Sequence, residues 1–333
     1  MTDLPPLRYL SAADVLAVAP DLPQRLELAE LTLRGLADGA DLPPKVAVHP
    51  RPEGSFAHAM PTLMRGAATD GSADRLGMKW VLGFGTNAAF GLPAISGLLL
   101  LNDAITGIAT AILDAGPITA MRTAAASGVV IRRFAPPTGG HPPRSAIIGA
   151  GAQGQSHVPV LGFVLPGTEL SLFDPDPDRA AALAETARHT PGIAAAQVAA
   201  SARDAIDGAD VVITVASFVP PPERQVMTDE WLTANALVVP VDYATYCSAQ
   251  VAHDADLFIV DHTAQFLANR DIGNFDGYPD PDGMIGDVLD PSTPRPDGRV
   301  VATHLGTGLA DVVFGGAMLA AAAERGLGTI LPR

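Results

Sequence analysis

The sequence predicts an α/β protein in two parts, a strand-rich region followed by one in which strands and helices alternate. Three observations predict it. The stretch SAIIGAGAQGQSHVPVL (145–161) is an apolar strand that feeds a GxGxxG turn and opens into a helix. Downstream, apolar runs of strand length alternate with helical ones, the pattern of βαβ units and hence of a parallel sheet. Upstream, from Lys45 to about Asp114, short apolar segments separated by Pro, Gly and Asn (KVAVHP, SFAHAM, RLGMKWVLGF, LPAISGLLLLND, TGIATAILDA) read as a strand-rich meander.

In chain order, residues 11–38 carry apolar positions at helical spacing, interrupted near Pro20 and Pro23, which predicts two helices. The meander comes next. Residues 119–130, TAMRTAAASGVV, predict a helix, and the Pro/Gly-rich break 136–143 predicts a domain boundary. Beyond it the pattern gives strand 146–149, helix 153–163, strand 169–174, helix 178–188, a short apolar piece near 193–199, helix 201–207 and strands 210–216 and 236–242. The segment 273–299 is rich in Pro, Gly and Asp and reads as an irregular connection or a lid. A final helix, 309–325, is apolar on more than one face, so it either returns to the first region or lies in a subunit contact.

Composition bounds the function. A chain of 333 residues exceeds the usual single-domain length and implies two domains with sizeable cores. With 48% hydrophobic and 17% charged residues it is a globular sequence, and a net charge of −15 argues against nucleic acid or an anionic membrane as partner. Cys247 is the only cysteine, which excludes an intrachain disulfide and a cysteine-based zinc cluster. The N-terminus carries no basic segment followed by an apolar core, and the longest apolar candidate, 91–101, is too short to span a bilayer and contains Pro93. These features predict a cytoplasmic protein. No HxH or HExxH pair occurs, and the acids of 273–299 do not follow an EF-hand spacing, so no metal is expected.

The glycine turn predicts dinucleotide binding. Gly149 permits the tight turn, Gly151 lets backbone approach a pyrophosphate, and Gly154 lets the helix pack closely on its strand. The pyrophosphate then lies on the unpaired N–H groups of the helix start. Asp174 follows a second apolar strand, 20 residues after Gly154, the spacing of a carboxylate on the adenosine ribose. That acid would repel a 2′-phosphate and favours NAD over NADP.

Four further residues are candidates for chemistry. Lys79 lies mid-strand between Met78 and Trp80, either pointing outward from a half-exposed strand or facing a ligand. Arg122 is placed at the start of a small-residue helix, where the dipole disfavours a cation unless an anion is near. Asp242 follows ALVVPV at the carboxyl edge of a parallel strand, where ligands bind, although an acid there is also a common helix cap. Lys45, after Pro43 and Pro44, is on its own a surface residue. Among the histidines, His58 lies on a strand of the first region, and His304, ahead of Gly306 and a helix start, either faces the cofactor or is structural.

Together these residues resemble the ornithine cyclodeaminase/μ-crystallin family, which also includes some alanine dehydrogenases and ketimine reductases. The resemblance covers nearly the whole chain and is carried by PPKVAVHP (43–50), HAMP (58–61), GMKWVLGFGTN with GLPAISGLLLLND, ITAMRTAAASG (118–128), IIGAGAQG (147–154) and GTGLADVV (306–313). It implies a Rossmann-type NAD-binding domain, 131–305, inserted in an α+β substrate-binding and dimerisation domain made of 1–130 and 306–333, and a homodimer. Residue by residue it implies substrate binding by Lys79, carboxylate binding by Arg122, and a general acid/base role for Asp242. Gly149, Gly151, Ala152, Gln153, Gly154 and Asp174 match the nucleotide-contacting turn and acid, with Thr123 and the strand end from Thr214 to Ser217 as weaker correspondences. Two positions depart from ornithine cyclodeaminases: an arginine of the first substrate strand is Lys45 here, and a glutamate just before the Met-Pro pair falls at His58. Lysine loses the bidentate fork on a carboxylate, and His58 removes an acid that would partner a substrate amine. The resulting expectation is an NAD(H)-dependent oxidoreductase acting on the C–N bond of a small imino or amino acid, with Arg122, Lys79, Lys45 and His58 on the substrate. The alternatives are an ornithine- or lysine-type cyclodeaminase that does not consume NAD, and a non-catalytic nucleotide-binding protein.

Overall fold

Local capping opens the chain. After strand β1 (Leu7–Leu10), Ser11 and Asp21 cap helices α1 (Ala12–Ala17) and α2 (Leu22–Ala37), each through a reciprocal capping box that satisfies the first free N–H groups. The meander follows as β2 (Val46–Val48), β3 (Phe56–Met64), β4 (Arg75–Gly83), β5 (Ile95–Asn102) and β6 (Ala109–Asp114), each antiparallel to the next. On β4 the alternation buries Gly77, Lys79, Val81 and Gly83, so Lys79 points into the core and not outward. Helix α3 (Ala115–Phe134) then leads into the alternating region.

That region runs β7 (Arg144–Ile148), α4 (Ala152–Val164), β8 (Thr168–Phe173), α5 (Pro177–Arg188), β9 (Ile193–Val198), α6 (Ala202–Ile206), β10 (Val211–Thr214) and β11 (Leu237–Pro240). It continues as α7 (Ala249–His253), β12 (Leu257–Val260), α8 (Thr263–Asp271), β13 (Gly283–Met284) and β14 (Val300–Thr303). The chain ends with α9 (Gly308–Glu324) and β15 (Thr329–Leu331). The computed structural model describes residues 4–333. Among them no helix is long and apolar enough to cross a membrane.

Two compact units result, residues 1–122 with 306–333, and residues 123–305. The division falls inside α3, while the Pro/Gly break 136–143 is a connection into β7 within the second unit. The first unit holds a seven-stranded sheet in the order β15-β1-β6-β5-β4-β3-β2. Helix α9 returns to this unit and packs on β3, β4, β5 and α2, with Leu36, Met64, Leu309 and Val313 forming part of the core.

The second unit is an eight-stranded, all-parallel sheet in the order β13-β12-β14-β11-β10-β7-β8-β9. Its central strands are buried on both faces, which is why they read as unbroken apolar runs. The chain goes outward in one direction from β7 through β8 and β9, and in the other from β10, so β7/β10 is the topological switch point. The segment 273–299 is an anchored connection. Arg133 donates to the carbonyls of Val288 and Asp290 at 3.2 Å and to that of Thr293, and Arg295 donates to Phe134 at 2.8 Å and Asn235 at 2.7 Å.

Candidate functional site

At the carboxyl edge of the second unit's sheet, the turn after β7 is shaped by close backbone approaches. Gly149 has φ 112°, and a Cβ there would lie 2.6 Å from the carbonyl oxygen of Val215; one on Gly154 would lie 2.2 Å from that of Gly149. Gly151 differs, because a Cβ on it would meet nothing within 4 Å. It is the N-cap of α4 and offers no side-chain cap, so the N–H groups of the first turn face an open cradle of the kind a pyrophosphate fills. Ala152 and Gln153 form that first turn. Asp174, after β8, braces the cradle: its Oδ2 accepts from Ala150 N at 2.7 Å and its Oδ1 from Asp176 N at 2.9 Å. The glycines, the uncapped helix start and the acid fit an NAD molecule.

Along the same edge, Asp242 lies just beyond β11 and is 2% exposed. It caps no helix, since α7 is capped by Ser248. Its Oδ1 accepts from Thr214 Oγ1 at 2.7 Å and its Oδ2 from Ala216 N at 3.2 Å. Burial pushes its pKa up to about 7, against the opposing pull of those two hydrogen bonds. A carboxyl poised there exchanges a proton at neutral pH. The hydroxyl of Thr214 is thus spent on Asp242, Ser217 is exposed beyond β10, and Thr123 is buried in α3.

His304, directly after β14, is buried in a chain of hydrogen bonds. Its Nε2 lies 2.8 Å from Ser127 Oγ, and Ser127 Oγ lies 2.8 Å from His157 Nε2. His157 Nδ1 is 2.7 Å from the Gln153 carbonyl, which can only accept, so Nδ1 carries the proton. Burial lowers the His157 pKa to about 4, so its Nε2 accepts from Ser127, and Ser127 accepts from His304 Nε2–H. The first turn of α4 and the end of β14 are tied by this chain.

In the first unit, Lys79 and Arg122 come together on an acid that the motif reading did not single out. Asp311, in the first turn of α9, is 0% exposed; its Oδ2 is 2.6 Å from Lys79 Nζ and its Oδ1 is 3.5 Å from Arg122 Nε. Arg122 does not open α3 as the sequence suggested but lies two turns into it, so the helix dipole is not what calls for an anion there. Lys79 is 1% exposed and also lies 3.4 Å from Thr119 Oγ1. Burial lowers its pKa to about 7; Asp311 raises it, while Arg122 and Lys45 lower it. With Lys79 protonated, the three side chains sum to one positive charge, which a carboxylate would balance. A signal for Asp311 existed: it is an acid within the apolar run of a helix whose other acid, Glu324, is exposed at the far end.

His58 is half-buried on β3 and stacks on Phe56 with ring centroids 4.5 Å apart. Burial, reinforced by Lys45, His49 and Lys79, lowers its pKa to about 4, so it is neutral at pH 7 in cationic surroundings. Lys45 is half-buried just ahead of β2. Cys247 is buried and its thiol is pushed up to about 12, which removes it from chemistry.

Comparison with known proteins matches residues 13–310 to the ornithine cyclodeaminase/mu-crystallin family. The nodulation efficiency protein NfeD of Rhizobium meliloti is 34% identical over 333 residues, covering 98% of each chain. A Δ(1)-pyrroline-2-carboxylate reductase of Burkholderia ambifaria is 30% identical over 257 residues, covering 77% of this chain and 75% of its own. Among solved structures, the Thermococcus litoralis Δ(1)-pyrroline-2-carboxylate reductase in complex with NADH and L-proline superposes with a TM-score of 0.80 at 22% identity, covering 97% of this chain and 99% of that one.

Proposed function

The chain belongs to the ornithine cyclodeaminase/mu-crystallin family, and from that premise we propose that it is an NAD(H)-dependent oxidoreductase acting on the C–N bond of a small cyclic imino acid. The single observation that carries this reading is Asp242, a buried carboxyl with a pKa near 7 at the carboxyl edge of the nucleotide unit. Bound NADH supplies the hydride. Gly149, Gly151, Gly154 and the uncapped start of α4 hold its pyrophosphate, and Asp174 holds the ribose and favours NAD over NADP. Lys79 and Arg122 bind the substrate carboxylate, with Lys45 adding positive charge. Protonated Asp242 gives its proton to the imine nitrogen as the imine carbon is reduced, and in the reverse direction its carboxylate takes that proton back. Exclusion of water from Asp242 and Lys79, both buried, keeps each group's charge responsive to the ligand.

His58 argues against a diamino substrate, because a neutral imidazole among cations offers no counter-charge to a distal ammonium. The test is a spectrophotometric assay with Δ1-pyrroline-2-carboxylate and Δ1-piperideine-2-carboxylate. Net NADH oxidation, faster than with NADPH, is expected. Ammonia release from ornithine or lysine without net NADH change would replace the reading by cyclodeamination, and nucleotide binding without turnover of any of these would make the protein a binding module. A preference for NADPH would overturn the role given to Asp174. The exposed apolar side chains Val46, Val48, Phe90, Leu92, Ile95 and Leu98 of the first unit support a homodimer through that unit.

A further inference from the structure

We propose that Asp311 is a positioning residue of the substrate site: a buried acid on α9 that holds the Lys79 ammonium and the Arg122 guanidinium in place for the substrate carboxylate. The inference rests on the imino-acid reading above and adds a residue to it.

A carboxylate in the buried, apolar part of a helix is costly unless it is paired. Asp311 is paired twice, and unequally. The 2.6 Å contact with Lys79 Nζ is a close ion pair, whereas 3.5 Å to Arg122 Nε is a looser ion contact. The lysine is therefore fixed tightly, and the arginine is oriented by charge. Its orientation is completed from the other side by Gly306. A Cβ there would lie 2.3 Å from Arg122 Nη1 and 2.8 Å from Cζ and Nη2, so the guanidinium rests against bare backbone. With Nε turned to Asp311, the Nη edge is the one left to meet an anion.

Lys79 is arranged in the same way. Thr119 Oγ1 donates to the Ala115 carbonyl at 2.7 Å, so at 3.4 Å from Lys79 Nζ it acts as an acceptor. One ammonium proton goes to Thr119 and the charge is paired with Asp311, which leaves the ammonium a proton for a carboxylate. The charged groups acting on Lys79 are Asp311 of α9, Arg122 of α3 and Lys45 ahead of β2; Lys79 acts in turn on His58 of β3. Asp311 is the one acid among them. Its place in the first turn of α9 stabilises its negative charge.

Two effects follow from removing the acid, and they have opposite signs. Asp311→Asn raises the cluster from one positive charge to two, which by charge alone tightens anion binding. Loss of the clamp loosens both cations and weakens it. The probe is pyrrole-2-carboxylate, a planar, non-reducible competitor of the imino acid with no ionisation of its own in the neutral range. For the unmodified enzyme, its inhibition constant should rise above about pH 7 as Lys79 loses its proton. In Asp311→Asn this limb should move to lower pH by at least about one unit, the effect of an opposite charge in contact. On the acid plateau the constant should rise about ten-fold, while NAD affinity, a property of the second unit, stays unchanged. Asp311→Glu keeps the charge but displaces it by a methylene, so its limb should stay near pH 7 while the plateau constant still rises.

An unchanged limb and plateau in Asp311→Asn, or tighter binding on the plateau, overturns the proposal. Should that variant not fold, Asp311→Glu decides, since an unchanged plateau constant there overturns it equally. If the unmodified enzyme reduces no imino acid, it is the functional reading that fails. Turnover by the unmodified enzyme with indifferent variants rejects Asp311 alone.

Discussion

The glycine turn permits a test in which fold and ligand separate. Gly151 has φ −73° and ψ −164°, a conformation alanine adopts, and a Cβ on it meets no atom of the protein within 4 Å. Gly151→Ala should therefore leave the melting temperature within about 2 °C, because a Gly→Ala change at a permissive position moves stability by less than about 1 kcal/mol. The same methyl stands where the pyrophosphate must approach the N–H groups of α4. Losing two hydrogen bonds to a charged group, at about 1.5 kcal/mol each, weakens NAD binding about 100-fold. Gly154→Ala behaves differently. Its Cβ would lie 2.2 Å from the Gly149 carbonyl oxygen, about 1 Å inside normal contact, so α4 must move off its strand. Overpacking of that size costs about 1–3 kcal/mol and should lower the melting temperature by roughly 2–6 °C, along with NAD affinity. Calorimetric titration with NAD and a thermal melt on each variant read both quantities. Full NAD affinity in a folded Gly151→Ala protein would refute the assignment of the turn.

Asp242 should dominate turnover: Asp242→Asn is expected to lower kcat at least about 100-fold, the range of general acid–base catalysis, with NAD affinity retained. Because burial raises this carboxyl to about 7, it is protonated below that pH and ionised above it, so imine reduction should slow and amine oxidation quicken as pH rises through 7. Rate–pH profiles in both directions check this, and parallel profiles would reject the role. Sedimentation equilibrium should give twice the chain mass of 34.2 kDa, and Leu98→Glu on the exposed face of β5 should return it to the monomer mass.

The nucleotide unit was legible because its parallel strands are buried on both faces and its turn requires glycine, so both leave marks in the local sequence. Strands β7 to β11 fall within a few residues of their expected positions, whereas β12 to β14 lay among short runs and turns and were not assigned. The first unit was legible as a meander but not in its closure: β1 pairs with β6 in parallel and with β15 antiparallel, contacts between chain ends that no local pattern encodes. In the candidate site, Lys79 stood out as a charge within a strand. The clamp on it did not, because the partner lies more than 200 residues away on α9. The start of α3 lies four residues ahead of the expected Thr119, because Gly116 and Pro117 sit in its first turn, where proline is tolerated.

Asp174 binds the backbone of the glycine turn through Ala150 N as well as standing where a ribose would be read. On the proposed reading of Asp174, cofactor choice and the shape of the phosphate cradle share one carboxylate. Exchanging Asp174 for a small neutral residue, the simplest route toward a 2′-phosphate, would also release the peptide that sets the turn. A change of cofactor in this chain is thus a two-site problem, requiring a new brace for Ala150 together with a cation for the phosphate.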